Sequence, residues 1–336
     1  MGIKLLNRFF ADNCSNNAIQ KTHLEQLSGK HIVIDTSIYL YKFIGEQALM
    51  ENMYLLISIL RKYNIIPTFI FDGKSPPEKT DEINKRALQK NVFENKYNEL
   101  KAEFDKMDDS SILKANIMSE MTNLKRRFVR IKNRDKNKTK TLFDAYGVKY
   151  LDAPGEADNL CAYLVNTGQA WGCLTDDMDM FVYGCKRVLR HISLLNHTVI
   201  LYDTTLILTE LQMTMQIFKQ IIILSGTDYN STDNPTSLHE TIQIYYKYRK
   251  TDNCIMVEEG DGDGNMIQSE YTRFYKWVSE NTNYVKNYNE LVAVHNMFDL
   301  SIFDDHELFK NINSEYNEIN HETLQTIMME DGFVFI

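Results

Sequence analysis

Short, unbroken apolar runs alternate in this chain with longer stretches in which apolar residues return every three or four positions. Residues 31–35 (HIVID) read as a buried strand ending on Asp35. An apolar-periodic helix is expected over 37–63, with Ile38, Tyr41, Leu55 and Ile59 turned inward. Residues 65–73 (IIPTFIFDG) give a second buried strand, ending at Asp72 and Gly73. The pattern then changes. Residues 74–126 are charged and helix-prone, open on Pro76 and Pro77, and break near 108–111. They predict two helices joined by a turn and inserted between elements of a sheet, and an excursion of that length is more often functional than inert.

Downstream, Leu142, Phe143 and Tyr146 mark a helix that ends at Gly147, and VKYLDAP reads as a strand. Pro154, Gly155 and Glu156 open a helix running to Gly168, with acids at its start that suit the helix dipole. AWGCLT is a strand, 177–181 the turn after it, and KRVLRHI and HTVILYD a strand pair. LQMTMQIFKQIIILSG reads as one helix, followed by Gly226, Thr227, Asp228 and Tyr229. TSLHETIQIYYKYRK reads as another, 251–265 as an acidic loop, and the rest as weakly helical. The alternation predicts an α/β fold, a mainly parallel central sheet flanked by helices, with a helical arch at 74–126 and a helical C-terminal region. The expected division is a core over 1–235 and a C-terminal region over 236–336. Ligands of such sheets bind outside the carboxyl ends of the strands. Asp35 and Asp72 sit at two such ends and Asp177 and Asp179 follow a third, so they are expected to converge with Glu156 and Asp158, within reach of Asp228.

Composition adds charge to this picture. The chain has 336 residues, 43% hydrophobic and 25% charged, as is ordinary for a globular protein. Its net charge of −9 argues against nucleic acid as a partner only if the charge is evenly spread. It is not. Residues 125–140 (KRRFVRIKNRDKNKTK) hold nine Lys or Arg and one Asp, whereas 152–179 hold six carboxylates and no Lys or Arg. Crowded carboxylates are costly unless a cation sits among them, and all-oxygen clusters suit Mg²⁺ or Mn²⁺. Two such ions about 3.5–4 Å apart can cleave a phosphodiester. The five cysteines form no CxxC pair and read as reduced, buried small residues of an intracellular protein. No apolar run reaches the length of a membrane span, so no membrane partner is expected. The start MGIKLLNRFF is not a signal peptide, and Leu6 stands where a myristoylation signal needs Ser or Thr. The run from Asp261 to Asn265 lacks the Gly and the closing Glu of a calcium loop.

Five segments, IVIDTSIYLYKF, FIFDGKSPPEK, YLDAPGEAD, LTDDMDMFVYG and LSGTDYN, occur in this order over about residues 1–230. Together they resemble the flap endonuclease family, a group of structure-specific 5′ nucleases. The resemblance implies a 5′ nuclease, PIN-like fold and two Mg²⁺ (or Mn²⁺) ions held by Asp35, Asp72, Glu156, Asp158, Asp177, Asp179 and Asp228. Asp158 stands where many members have Glu, and the carboxylate is kept. The family carries a basic pair seven and fourteen residues past the FDG aspartate, here Lys79 and Arg86, on a gating helix. A spacing of seven puts both on one helical face, where they could offset charge on the scissile phosphate. Tyr41 falls where the family stacks a base, and Gly2 where it lies near the active site. Residues 74–126 replace the family's gateway and cap. Arg127, Arg130 and Lys132, in the basic stretch, are expected to meet DNA phosphates.

The resemblance implies scission of branched double-stranded DNA with a 5′ flap, some 5′→3′ exonuclease action, and a monomer working at an intracellular site of DNA replication. Two departures qualify the transfer. The family's Gly-rich hairpin, which grips duplex with help from K⁺, is replaced by NPTSLHETIQIYYKY. The ending MMEDGFVFI lacks the clamp-binding box, so no sliding clamp is expected as a partner. In these respects the chain looks like the compact members encoded by large DNA viruses, whose setting would be a cytoplasmic viral factory; in a cellular member it would be the nucleus. Two rival readings stand beside it. One is a catalytically silent DNA-binding scaffold, against which the presence of all seven acids argues. The other is a 5′ exonuclease acting on gaps or on RNA.

Overall fold

A computed structural model describes residues 3, 5–107, 112–229, 238–251, 273–284, 288–304, 309 and 315–334. Seven strands are present among them: β1 (Ile19–His23), β2 (His31–Asp35), β3 (Ile66–Phe71), β4 (Lys149–Asp152), β5 (Gly172–Leu174), β6 (Arg187–Ser193) and β7 (Thr198–Asp203). The helices are α1 (Leu6–Asn13), α2 (Thr36–Gly45), α3 (Leu49–Lys62), α4 (Thr80–Phe104), α5 (Ile112–Arg127), α6 (Asn133–Tyr146), α7 (Ala157–Asn166), α8 (Thr204–Leu211), α9 (Met215–Ser225), α10 (Leu238–Arg249), α11 (Arg273–Asn281), α12 (Tyr288–Met297) and α13 (His321–Glu330). The fold is α/β, as the alternation of runs predicts.

The helix expected over 37–63 is two helices. Gln47 takes a left-handed φ of 59°. The N–H of Ala48 then reaches back to the carbonyl of Phe43 at 3.0 Å, a closure that ends α2. The change of direction leaves Tyr41 and Leu55 exposed rather than inward, at 40% and 41%. A second expected helix, 211–226, begins later than its apolar pattern suggests. Gln212 is left-handed at φ 53°, and the Thr214 hydroxyl caps α9 by accepting the N–H of Ile217 at 3.3 Å. The preceding α8 gave no signal of its own. Its cap is Asp203, whose Oδ1 accepts the N–H groups of Thr205 and Leu206 at 3.0 and 3.1 Å. Neither α1 nor β1 was marked by periodicity.

The chain divides into two compact units. One comprises Met1–Thr22, Asp158–Ile192 and Val199–Ile312. Its strands lie in the order β1-β7-β6-β5, with β5 and β6 parallel. Its core gathers Phe10, Phe181, Tyr202 and Phe218, with Phe10 edge-on to Phe181 at 5.0 Å and stacked on Phe218 at 5.9 Å. The helices α10, α11 and α12 pack on and around α9. There the Lys219 ammonium donates to the carbonyl of Phe298 at 3.1 Å. Burial brings Lys219 down to about 8, against the pull of Asp299.

The other unit comprises His23–Ala157, Ser193–Thr198 and Asn313–Ile336. Its strands β2, β3 and β4 lie side by side and parallel, fully enclosed in the case of β2. Phe69 stacks on Phe143 of α6 at 4.2 Å. Gly147 ends α6 at φ 68°, and a Cβ there would lie 2.4 Å from the carbonyl oxygen of Asn317. The last segment crosses at this point, with Asn317 N–H donating to Gly147 O at 2.9 Å and Asn320 N–H to Ala145 O at 2.8 Å. The predicted helix pair of the arch is present as α4 and α5, which pack on each other, and α4 buries no residue fully. The turn expected between them, at 108–111, lies outside the described residues, as do 230–237 and the acidic loop from 252 onward.

One pH response follows from the first unit. His295 on α12 is brought down to about 4 by burial and by the Lys219 ammonium, with Asp299 opposing. The unfolded chain takes up this proton near pH 6.5. The unfolded state therefore binds more protons between about pH 6.5 and 4, and stability falls as pH drops through that window. Replacing His295 by Gln should flatten this acid limb, seen as a smaller fall in thermal midpoint between pH 7 and 4.5 than in the parent. An equal fall in both would show that His295 is not its source.

Candidate active site

Parallel pairing sets the frame in the second unit. Asp35 lies opposite Ile70 and Phe71 opposite Asp152, so Asp35, Asp72 and the 153–156 turn emerge at one carboxyl end. A chain of hydrogen bonds joins them. Ser37 N–H donates to Asp35 Oδ1 at 3.1 Å, and the Ser37 hydroxyl donates to Asp72 Oδ2. The other oxygen of Asp72 accepts the N–H of Ala157 at 2.8 Å. Glu156 meets the Lys79 ammonium through both oxygens, at 2.8 and 2.7 Å, with the two side chains 12% and 14% exposed. The Lys136 ammonium donates to the carbonyl of Asp72 at 3.1 Å.

Gly73 makes this approach possible. Its N–H donates to Gly155 O at 2.8 Å, and a Cβ on it would stand 2.0 Å from the carbonyl oxygen of Ala153. No side chain fits there without moving the end of β3 away from the turn that carries Glu156.

The expected basic pair is arranged differently from a helical face. Lys79 closes a short 3₁₀ turn, Pro77–Lys79, ahead of α4, because Pro76 and Pro77 hold the chain out of the α-helix until Thr80. Only Arg86 lies within α4, where Glu82 accepts its Nε at 2.9 Å. Tyr41 faces the same region. Its phenol is pushed up by burial and by Asp72, with Arg86 opposing. The Lys90 ammonium lies 4.6 Å from the centre of the Tyr41 ring. Burial and the neighbouring Arg130 and Arg86 lower the pKa of Lys90.

In the first unit, β5 ends and the chain turns. Asp177 and Asp179 are buried at 8% and 2% exposure. Thr175 Oγ1 accepts the N–H of Asp177 at 3.2 Å, and Asp177 Oδ1 accepts the N–H of Asp179 at 3.0 Å. Asp158 and Asp179 lie near the Tyr183 phenol. Burial, then Tyr229, then these two carboxylates hold Tyr183 well above its ordinary range. The Tyr229 hydroxyl, beside Asp228, is 3.5 Å from that of Tyr183.

Each unit thus gathers its own share of the expected ligands: Asp35, Asp72 and Glu156 in one, Asp158, Asp177, Asp179 and Asp228 in the other. Among the described residues no group of three or more His, Cys, Asp or Glu side chains is spaced to enclose an ion. In the second unit protein donors hold the carboxylates instead, and the Lys79 ammonium stands on Glu156 as a metal cation would. A donor set of carboxylate oxygens alone, with a cation already drawn to it, fits Mg²⁺ or Mn²⁺ and not a softer metal. Asp152 and Asp176 stay apart as neighbours, paired with Lys140 at 2.6 Å and with the N–H of His191 at 2.8 Å.

Of the expected phosphate contacts, Arg127 is exposed with its guanidinium 5.2 Å from the Phe93 ring, and Lys132 is exposed at the start of α6. Arg130 is held by Glu94 and Asn91, both at 2.7 Å. Gly2 lies outside the described residues. Sequence reasoning missed Ser37, Lys90 and Lys136. Ser37 left a signal as a hydroxyl two residues past a strand-ending Asp, the position of a helix-capping turn, and Lys136 as a member of the basic stretch 125–140.

Gly73→Ala should cost about 1–3 kcal/mol of stability through overpacking against Ala153. Urea denaturation would measure it, and a variant as stable as the parent would show that β3 and the 153–155 turn separate freely.

The XPG N-terminal domain matches residues 1–93 and the XPG I-region residues 147–228. Flap endonuclease 1 of Drosophila yakuba is 30% identical over 303 residues, covering 84% of this chain and 71% of the relative. Among solved structures, the catalytic core of Rad2 in complex with DNA substrate gives a TM-score of 0.59 at 18% identity, over 97% of this chain and 93% of that one. Flap endonuclease-1 from Methanococcus jannaschii also gives 0.59, at 17% identity over 96% and 92%. The two structures agree on the fold, and the sequence relationship carries the assignment. The chain belongs to the flap endonuclease family of structure-specific 5′ nucleases, hydrolases of DNA phosphodiester bonds.

Proposed function

We propose that the chain cleaves 5′ flaps and other branched DNA near the junction, with some 5′→3′ exonuclease action. In this reading Asp35, Asp72, Glu156, Asp158, Asp177, Asp179 and Asp228 hold two divalent ions. Nucleases of this family are metal-dependent. When bound, a pair of divalent ions supplies activation of water and compensation of charge on the leaving 3′ oxygen. The observation that carries the reading is the hydrogen-bonded run from Asp35 through Ser37 and Asp72 to Ala157, ending at Glu156 under a lysine ammonium. Carboxylates fixed in place by the protein are what metal-assisted phosphodiester hydrolysis requires.

The protein's own groups then divide the work. Asp72 and Glu156 are held in place by Ser37, by Ala157 N–H and by the close approach at Gly73. Lys79 is positioned to leave Glu156 for a phosphate oxygen, where its charge opposes the charge that builds in the transition state. Lys90 lies beside Arg130 and Arg86, and burial first, then these two cations, lower its pKa. Glu82 and Glu94 already stand on Arg86 and Arg130, and in this reading a DNA phosphate competes with them for these cations. The exposed ring of Tyr41 offers a face on which an unpaired base can stack. Contacts of this kind bind without sequence preference and weaken with salt.

Full-length protein should cut a labelled 5′-flap duplex only when Mg²⁺ or Mn²⁺ is added, and faster than it cuts nicked duplex, gapped duplex or RNA. No cutting of any substrate would favour the scaffold reading; preference for gaps or RNA would favour the exonuclease reading. Asp177→Ala should reduce cleavage to background while flap binding in Ca²⁺ persists, and near-normal cleavage by it would sink the ligand assignment. Lys79→Ala should lower the cleavage rate by roughly 10²–10³-fold, the scale seen when one transition-state donor is lost. Its affinity for Mn²⁺ without DNA should be unchanged or tighter, since Glu156 is released; weaker Mn²⁺ binding would contradict the division of roles.

A further inference from the structure

A buried arginine outside the seven carboxylates stands directly behind the acidic turn. Arg190 is on β6 and is 6% exposed. β5 and β6 pair through Cys173 with Val188 and Leu174 with Leu189, and β6 continues where β5 stops. Arg190 is therefore level with the first residues of the turn that leads to Asp177. Its Nη2 donates to the carbonyl of Asp176 at 2.9 Å. Its Nη1 donates to the side-chain oxygen of Asn7, on α1, at 3.1 Å. The same Asn7 oxygen accepts the Tyr202 hydroxyl at 2.7 Å, and the guanidinium lies 5.5 Å from the Tyr202 ring. The Nε of Arg190 is buried and has no hydrogen-bond partner among the described residues.

This is an expensive arrangement for a cation to adopt. Both hydrogen-bonded partners of the guanidinium are neutral oxygens, and one N–H is left unsatisfied. Burying a charge in this way is unfavourable unless other charge compensates it. The compensation available in this unit is the acidic turn itself, with Asp176, Asp177 and Asp179 within three residues of the carbonyl that Arg190 grips. The next residue on β6 adds a second hold, since His191 N–H donates to Asp176 Oδ1 at 2.8 Å. The backbone of residue 176 is thus fixed through its carbonyl and its carboxylate, one residue before Asp177.

We infer that Arg190 is a positioning residue for divalent-ion binding: it pins the turn bearing Asp177 and Asp179 to α1 and offsets the mutual repulsion of their carboxylates. It touches neither substrate nor ion. The inference rests on the reading that Asp177 is a metal ligand. Groups that orient a ligand in this way are worth about 10–100-fold in metal affinity. Arg190→Gln retains amide donors but loses the charge, and Arg190→Lys keeps the charge but loses the two-pronged grip. Neither is isosteric with the fork that spans Asn7 and Asp176.

The test is calorimetric titration of full-length protein with Mn²⁺ in the absence of DNA, alongside cleavage of a flap duplex over a range of Mn²⁺ concentrations. Arg190→Gln and Arg190→Lys should weaken Mn²⁺ binding by about 10-fold or more. High Mn²⁺ should restore their cleavage towards the parent rate, with the KM for flap DNA little changed. A role confined to folding would instead lower activity by the same factor at every Mn²⁺ concentration and leave the affinity of the folded fraction unchanged; that result would overturn the inference. Asn7→Ala, at an exposed position, removes one anchor of the guanidinium without emptying the core. It should weaken Mn²⁺ binding in the same direction by a smaller factor, and it decides the matter if the Arg190 variants do not fold. Asp177→Ala serves as the control. If it abolishes Mn²⁺ binding at the turn while the Arg190 and Asn7 variants match the parent, the positioning role alone is overturned. If Asp177→Ala itself binds Mn²⁺ like the parent, the ligand reading fails first and takes this inference with it.

Discussion

Asp72 is held through both of its carboxylate oxygens, one by the Ser37 hydroxyl and one by the N–H of Ala157. That pair of hydrogen bonds ties the end of β3 to the start of α2 and the start of α7. It can form only because Gly73 lets the backbone of β3 come against the carbonyl of Ala153. A carboxylate at a strand end would otherwise turn towards water. Here it is fixed by neutral donors, which cost less to bury than a counter-charge. The placement of Glu156, and of the ammonium that answers it, follows from the same contact.

The first unit solves the same problem with different chemistry. Its acids sit on a tight turn after β5, where successive N–H groups point at Thr175 and at Asp177 itself. Tyr183 and Tyr229 wall one side, and the charge behind the turn comes from a buried arginine. The two units thus hold their acidic ends differently: hydrogen bonds from uncharged groups to the carboxylate in one, an arginine on the backbone carbonyl of the turn in the other.

Charge segregation explains how an acidic chain can act on an acidic substrate. The net charge of −9 describes the whole chain, but Arg86, Lys90, Arg127 and Arg130 belong to the unit that carries the arch. Several of its cations are engaged with partners inside the protein, as Arg130 is with Glu94 and Lys140 with Asp152. An exposed ion pair such as Arg130 with Glu94 contributes little to stability.

Much of the fold was legible in the sequence. Buried parallel strands are written as continuous apolar runs, and HIVID and IPTFIF are short, rich in β-branched and aromatic residues and so read as strands; the arch showed itself by the loss of such runs. The positions of the acids at strand ends were legible too, because strand-end position and residue type are both local properties. The helix break at Gln47 and the separate helix α8 were not, since a left-handed residue other than glycine leaves no mark in composition. Tyr41 was placed on the right helix but on the wrong face, since one apolar stripe drawn over 37–63 spans two helices. Tertiary structure alone decided that Lys79 belongs to a 3₁₀ turn and rests on Glu156, that Gly73 is needed for closeness rather than for turning, and that Ser37 and Arg190 are the partners of the acidic ends. Those facts depend on which residues of distant segments meet, and the register of β2, β3 and β4, like that of β5 and β6, fixes this only once the chain has folded.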